Sequence, residues 1–77
     1  MDYDEDKLDE VVLALLYLNL FNHGGIFRAW KTFDWDAMDR LHAKGFISDP
    51  KSKAKSVIMT EKGEEVAEEL FNKYFGI

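Results

Sequence analysis

The sequence contains no cysteine, one proline and two histidines among its 77 residues. Without cysteine there is no disulfide and no thiolate metal site, and two histidines do not by themselves make a structural zinc centre. A long apolar run is missing too. The longest, Val11 to Leu18, falls far short of the ~20 residues needed to cross a bilayer. No membrane span is therefore expected, and the acidic start Met1-Asp2-Tyr3-Asp4-Glu5-Asp6 is the opposite of a basic signal-peptide region. A cytoplasmic location is the expectation.

What is present is a chain that is 47% hydrophobic and 14% aromatic, more apolar than a disordered segment. A chain this short has room for one domain, residues 1–77, which on folding buries roughly 60% of the surface it exposes when unfolded. With cross-links and metals set aside, oligomerisation is the remaining source of extra stability. The formal net charge of -5 disfavours indiscriminate binding to polyanions, but it is unevenly spread. Residues 1–10 hold six acids against one lysine, residues 28–60 hold seven basic against four acidic groups, and residues 61–77 hold five acids against two lysines. The ends are acidic and the middle is basic.

A first helix is expected over 8–22, with Asp2, Asp4 and Asp6 offering N-cap oxygens and Gly24-Gly25 ending it. Between Val11 and Leu18 its apolar groups point in every direction around the axis. One side can face the core of the domain. The other needs a cover, supplied either by the rest of the chain or by a second copy. The set Ile26, Ala29, Trp30, Phe33 has the spacing of one helical face and predicts a short second helix over 26–33. A third helix over 35–44 has Asp34 as N-cap, Phe33 stapling onto Met38, and Gly45 with Phe46 as a Schellman ending against Leu41. Phe46-Ile47-Ser48 and Ser56 to Thr60 read as the strands of a hairpin around an Asp49-Pro50 turn. Thr60 then caps a last helix with the stripe Val66, Ala67, Leu70, Phe71, Tyr74 and Phe75.

The stretch Leu41-His42-Ala43-Lys44-Gly45-Phe46-Ile47, a basic loop, and Val57-Ile58-Met59-Thr60-Glu61-Lys62-Gly63 resemble the wing region of winged helix-turn-helix proteins over residues 34–63. The whole chain is also similar to a family of small uncharacterised bacterial proteins, a domain of unknown function. That similarity is carried by Asp2-Tyr3-Asp4-Glu5-Asp6, by Phe33 through His42 and by Lys51-Ser52-Lys53-Ala54-Lys55-Ser56. The resemblance implies a winged-helix-like domain, mostly α with a small β-hairpin (α+β), in the order helix-helix-helix-hairpin-helix. It implies no activity.

In the winged-helix class the third helix lies in the major groove and the wing touches phosphates. At 100° per residue, Trp35, Ala37, Met38, Leu41 and His42 share one face of that helix, which is expected to be buried. The other face carries Asp36, Asp39, Arg40, Ala43 and Lys44, and its net charge is zero. Two carboxylates are a poor choice beside phosphates, whose binding depends on Lys and Arg. Lys51, Lys53 and Lys55 alternate and share one side of an extended segment, where they either contact an anion or protect a solvated hairpin edge.

His42 follows Asp39 by three residues, but only Ser48, Ser52 and Ser56 lie nearby in sequence, and no hydrolase or phosphate-loop motif is present. His23 suits a helix C-terminus, the alternating Asp2, Asp4 and Asp6 lack the glycine and distal glutamate of a calcium loop, and Trp30 and Trp35 read as core. The expectation is thus a non-catalytic interaction module with no cofactor and no metal, a homodimer whose interface candidates are Val12, Leu13, Leu16, Tyr17 and Leu20. The alternative is a DNA-binding transcriptional regulator, with Arg40, Lys44, Lys51, Lys53 and Lys55 as contacts to nucleic acid or another anionic partner.

Overall fold

The first helix, α1, runs from Glu5 to Leu18 in a computed structural model that describes residues 1–31 and 34–77. The Asp4 carboxylate caps it, accepting from the Lys7 N–H at 3.0 Å, and Glu5 and Asp6 sit at the positive end of its dipole. It ends at Leu18, six residues before Gly24 and four short of the expected end. Asn19 closes it, its backbone N–H and its side-chain amide both donating to the Leu15 carbonyl.

The glycines serve another purpose. Gly24 and Gly25 have φ of 62° and 85°, the left-handed conformation that a two-residue hairpin turn of the I′ kind demands at both central positions. They join β1 (Phe21–His23) to β2 (Ile26–Trp30), paired antiparallel with Phe21 opposite Arg28 and His23 opposite Ile26. The expected second helix over 26–33 is therefore wrong. Its β-branched and aromatic residues suit a strand, and the set read as a helical face splits between the strand's two faces. Phe33, with its staple onto Met38, lies outside the described residues.

Helix α2 (Trp35–Ala43) starts where expected and ends one residue earlier, with Lys44 as its C-cap. Asp34 accepts from the Asp36 N–H at 3.0 Å, while at the far end Gly45 N–H donates to His42 and Phe46 N–H to Leu41, the two bonds of a Schellman ending. Ile47 then makes one antiparallel bridge to Met59, and Ser48 N–H donates to the Ile58 carbonyl. The predicted pairing of 46–48 with 56–60 is present in this shortened form. The main partner of β3 (Ser56–Ile58) is instead β2, with Arg28 opposite Ile58 and Trp30 opposite Ser56, giving a three-stranded sheet in the order β1-β2-β3. Thr60 caps α3 (Glu61–Phe75), its hydroxyl oxygen accepting from Gly63 N–H at 2.9 Å.

The core is built from Val12, Leu13, Leu16, Ala29, Ala37, Met38, Leu41, Ile47, Val57, Met59 and Ala67. α1 sits at its centre and packs on α3, on α2 and on the inner face of the sheet. This corrects the proposed interface on α1. Leu13 and Leu16 are fully buried and Val12 is 4% exposed, so the chain's own elements cover these three residues and a partner cannot reach them. Tyr17 and Leu20 are partly buried against the same core. Withdrawing a leucine of this kind from water contributes about 1.5–3 kcal/mol, which explains why the fold spends its α2 and α3 surfaces here. Among the described residues no helix is long and apolar enough to cross a membrane.

Candidate interaction surface

Charge is partitioned by the fold into two different uses. On the helical side, Asp9 is 1% exposed, and burying a carboxylate is costly unless it is paired and hydrogen-bonded. Arg40 supplies both, reaching it from α2 through Nε at 2.8 Å and Nη2 at 2.9 Å while Nη1 bonds Glu5 at 3.1 Å. That hydrogen bonding, backed by the carboxylate charges, holds the guanidinium proton even more tightly than usual. Lys44 adds a contact to Asp9 at 3.3 Å and one to Asp6 at 3.9 Å. Arg40 and Lys44, two of the expected anion contacts, are thus engaged inside the molecule. They tie α2 to α1, and any phosphate would have to displace carboxylates already in place.

The face of α2 expected to be buried is so only in part. Ala37, Met38 and Leu41 are buried as predicted, but Trp35 is 60% exposed and His42 is also at the surface. His42 Nδ1 lies 3.0 Å from the Ile47 carbonyl oxygen, so it fixes the start of the 46–48 segment rather than pairing with Asp39. A cleft of about 390 Å³ between α1, α2 and α3 is lined by Asp6, Asp9, Glu10 and Lys44 above an apolar floor. Its lining contains no serine, threonine or histidine, and its carboxylates are the ones already paired.

The sheet side is built differently. From Val11 to Phe33 and from Pro50 to Thr60 the sequence has no carboxylate at all, and these stretches supply all three strands. Strand alternation puts Ala29 and Val57 inward, where both are fully buried. It puts Phe21, His23, Ile26, Arg28, Trp30, Ser56 and Ile58 on the outer face. An antiparallel sheet with one solvated face usually alternates apolar-in with polar-out. Here the outer face is apolar too, with Trp30 50% and Ile26 48% exposed, and Phe21 stacks on Trp30 at 4.9 Å and 27°.

In the middle of this face, Arg28 donates through Nε to the Ser56 hydroxyl at 2.7 Å and through Nη2 to the Ser56 carbonyl at 3.1 Å. Its plane is held without a carboxylate. At the end of the ladder, Lys31 N–H donates to the Lys55 carbonyl at 3.0 Å, and the Lys31 ammonium donates to the Ser52 carbonyl at 2.8 Å. That anchors the loop carrying Lys51, Lys53 and Lys55, all exposed, beside the sheet. Among the described residues no ion pair uses Arg28, Lys31, Lys51, Lys53 or Lys55. Of these, Arg28 and Lys31 escaped the sequence reading, although the carboxylate-free stretch around them was there to be seen. No group of three or more His, Cys, Asp or Glu suited to a metal ion occurs among the described residues.

Fold and surface together define a small α+β domain, in which α1 lies on one face of a three-stranded antiparallel sheet and carries α2 and α3 on its other sides, while the outer sheet face is apolar around Arg28. The chain belongs to the family described as a domain of unknown function, DUF6429, whose model matches residues 4–77. It is similar to the uncharacterized protein y4hR of Sinorhizobium fredii, with 51% identity over 75 residues and 97% of each chain covered. The family-level resemblance in the sequence is thereby confirmed. No solved structure matches the chain. A helix-turn-helix needs a helix immediately before α2, and that place is taken by the β1–β2 hairpin.

Proposed function

We propose that the chain is a non-catalytic, cytoplasmic binding module that holds an extended anionic partner on the outer face of its sheet. The observation that carries this reading is an outer face of exposed apolar side chains around Arg28, next to a strand end and loop of lysines, cations that among the described residues have no carboxylate partner. Exposed apolar patches of this kind mark interaction sites, and the rim of Lys31, Lys51, Lys53 and Lys55 selects the sign of the partner's charge. Labelled heparin oligosaccharide and labelled poly-glutamate, titrated in low salt, test it. Binding of at least one of them, weakened by added salt and by Lys31→Glu together with Lys55→Glu, is the expected result. No binding of either at low salt overturns the reading.

A second reading keeps the expected homodimer and moves its contact. Tyr17, Phe71 and Phe75 form a ladder of rings at 5.6 and 5.4 Å, and beside it Leu18 is 61% and Phe75 47% exposed. These residues are supported as the contact by their exposure, which Val12, Leu13 and Leu16 lack. Light scattering after size exclusion decides it: a mass twice the 9.0 kDa of the chain, restored to one chain by Leu18→Glu, is expected. A wild-type monomer at tens of micromolar overturns it.

A further inference from the structure

We infer that the anion bound by the outer sheet face is single-stranded nucleic acid, with bases stacked on Trp30 and Arg28 and phosphates held by the lysine rim. This rests on the reading of that face as an anion-binding surface. Three observations narrow the partner's chemistry. Phe21 occupies one face of the Trp30 indole and leaves the residue half exposed, so a flat, oriented ring is presented to solvent. The Arg28 guanidinium is planar and held by both its bonds to Ser56, which presents a second flat group beside it. Lys31 and Lys55 share the rung that follows Trp30 and Ser56 at the end of the ladder, with Lys51 and Lys53 in the loop beyond, so the cations stand at the end of the platform and not on it.

Carboxylates of an acidic polypeptide would satisfy the lysines and leave the rings uncovered. A polyanion made of planar bases meets both requirements, because every base has a π-face and base–aromatic stacking is tolerant of sequence. Duplex DNA is a poorer match. Its bases are already stacked away from a flat sheet, and the helix that would enter the major groove has Arg40 and Lys44 committed to Asp9. A second copy is a poorer match by sign: a two-fold pairing of these faces sets Arg28 of one chain toward Arg28 of the other with no carboxylate between them. From Ile26 to Lys31 the strand extends about 17 Å at ~3.3 Å per residue, so the footprint is a few nucleotides. The acidic helices on the other side orient the strand and limit the affinity.

Fluorescence anisotropy with short labelled oligo(dT) and oligo(rU), a duplex of equal length and labelled poly-glutamate tests this on the full chain. The single strands are expected to bind more tightly than the duplex and the polypeptide. Trp30→Ala should weaken them about five- to a hundredfold, the range stacking on one base supports. Lys31→Gln, Lys53→Gln and Lys55→Gln together should flatten the dependence of log K on log salt by about 2, since each lost phosphate contact removes ~0.7 for a single strand. Circular dichroism checks that the variants are folded. Should Trp30→Ala not fold, Trp35→Phe leaves Trp30 as the sole tryptophan, whose emission must be quenched by oligo(dT). A duplex bound as tightly as the single strand, or unquenched Trp30, overturns the inference. Poly-glutamate bound as tightly as oligo(dT), with no effect of Trp30→Ala, also overturns it and leaves the anion-surface reading standing. No binding of any probe removes both.

Discussion

α1 and β2 are both rich in apolar residues, both free of carboxylates from Val11 onward, and both touch the same core, yet the fold treats them in opposite ways. α1 presents apolar groups all around its axis, and α2, α3 and the sheet cover Val12, Leu13, Ala14 and Leu16 while Leu18 stays exposed. β2 presents apolar groups on two faces and has a cover on one, where Ala29 meets α1. Position in the architecture, more than apolar density in the sequence, decides where surplus hydrophobic surface ends up. A central helix in a small domain has neighbours around most of its axis. A sheet at the edge of two layers has one inner face only.

Substitutions that attack the covered side should therefore cost stability, and those on the uncovered side should cost binding. The largest stability effect is expected at Gly63, where a Cβ would stand 2.0 Å from the Phe46 carbonyl oxygen, a backbone atom that cannot swing away. Gly63→Ala must move α3 off the 46–48 segment or lose the Thr60 cap. We expect a loss above about 3 kcal/mol, among the exceptional single-site effects, read from urea unfolding. A Gly63→Ala protein with wild-type stability would mean that α3 does not press on Phe46 at all. Next comes Leu13→Ala, which empties a fully buried site and should cost about 2–5 kcal/mol, against about 0.5 kcal/mol or less for Leu18→Ala five residues along the same helix. Equal costs at the two positions would show that α1 is not wrapped by its own chain.

Some of this was legible in the sequence, and the residues show why. The ends of α2 follow from Asp34, Gly45 and Phe46, and the start of α3 from Thr60, because a cap is a bond between residues two to five apart. β2 was misread because Ile26, Ala29 and Trp30 satisfy a helical face while Ile26, Arg28 and Trp30 satisfy a strand face. The choice was made by pairing with β3, about thirty residues away, and by Gly24-Gly25, which serve as a turn as readily as a helix stop. The same distance hid the site. Arg28 is fixed by Ser56, 28 residues on, and Arg40 is taken up by Asp9, 31 residues back, so neither the availability of the one nor the engagement of the other could be read locally. Lys51, Lys53 and Lys55 were legible as a basic loop because they depend on no distant partner.

A smaller effect tests how the helical side is closed. Tyr74 donates its hydroxyl proton to the Glu10 carboxylate, joining α3 to α1, and Lys73 lies 3.7 Å from the same carboxylate. That hydrogen bond, helped by burial and by the negative charge of Glu10, raises the Tyr74 hydroxyl above its ordinary value of 10.0, with Lys73 opposing weakly. A group raised in the folded state contributes stability that is complete below the unfolded value and is lost as pH climbs through the folded one. Wild-type protein should therefore lose stability on the alkaline side more steeply than Tyr74→Phe, whose curve lacks this contribution. Parallel curves in urea unfolding across that range would show that the bond does not close α3 on α1.

The smallest stability effect is expected on the outer face of β2, and it sharpens the contrast most. Ile26 is 48% exposed and stands outside the core cluster, so Ile26→Thr keeps a β-branched residue in the strand and removes little buried area. Stability should change by about 0.5 kcal/mol or less, the range of ordinary surface positions. Binding of oligo(dT) should nevertheless weaken, because Ile26 is the apolar end of the platform that continues through Arg28 to Trp30. A protein that keeps its outer face apolar for packing would show the reverse, with unfolding made easier and binding untouched. Ile26→Thr thus separates a face held for a partner from a face that merely escaped cover, which structure-wide stability measurements at Gly63 and Leu13 cannot do.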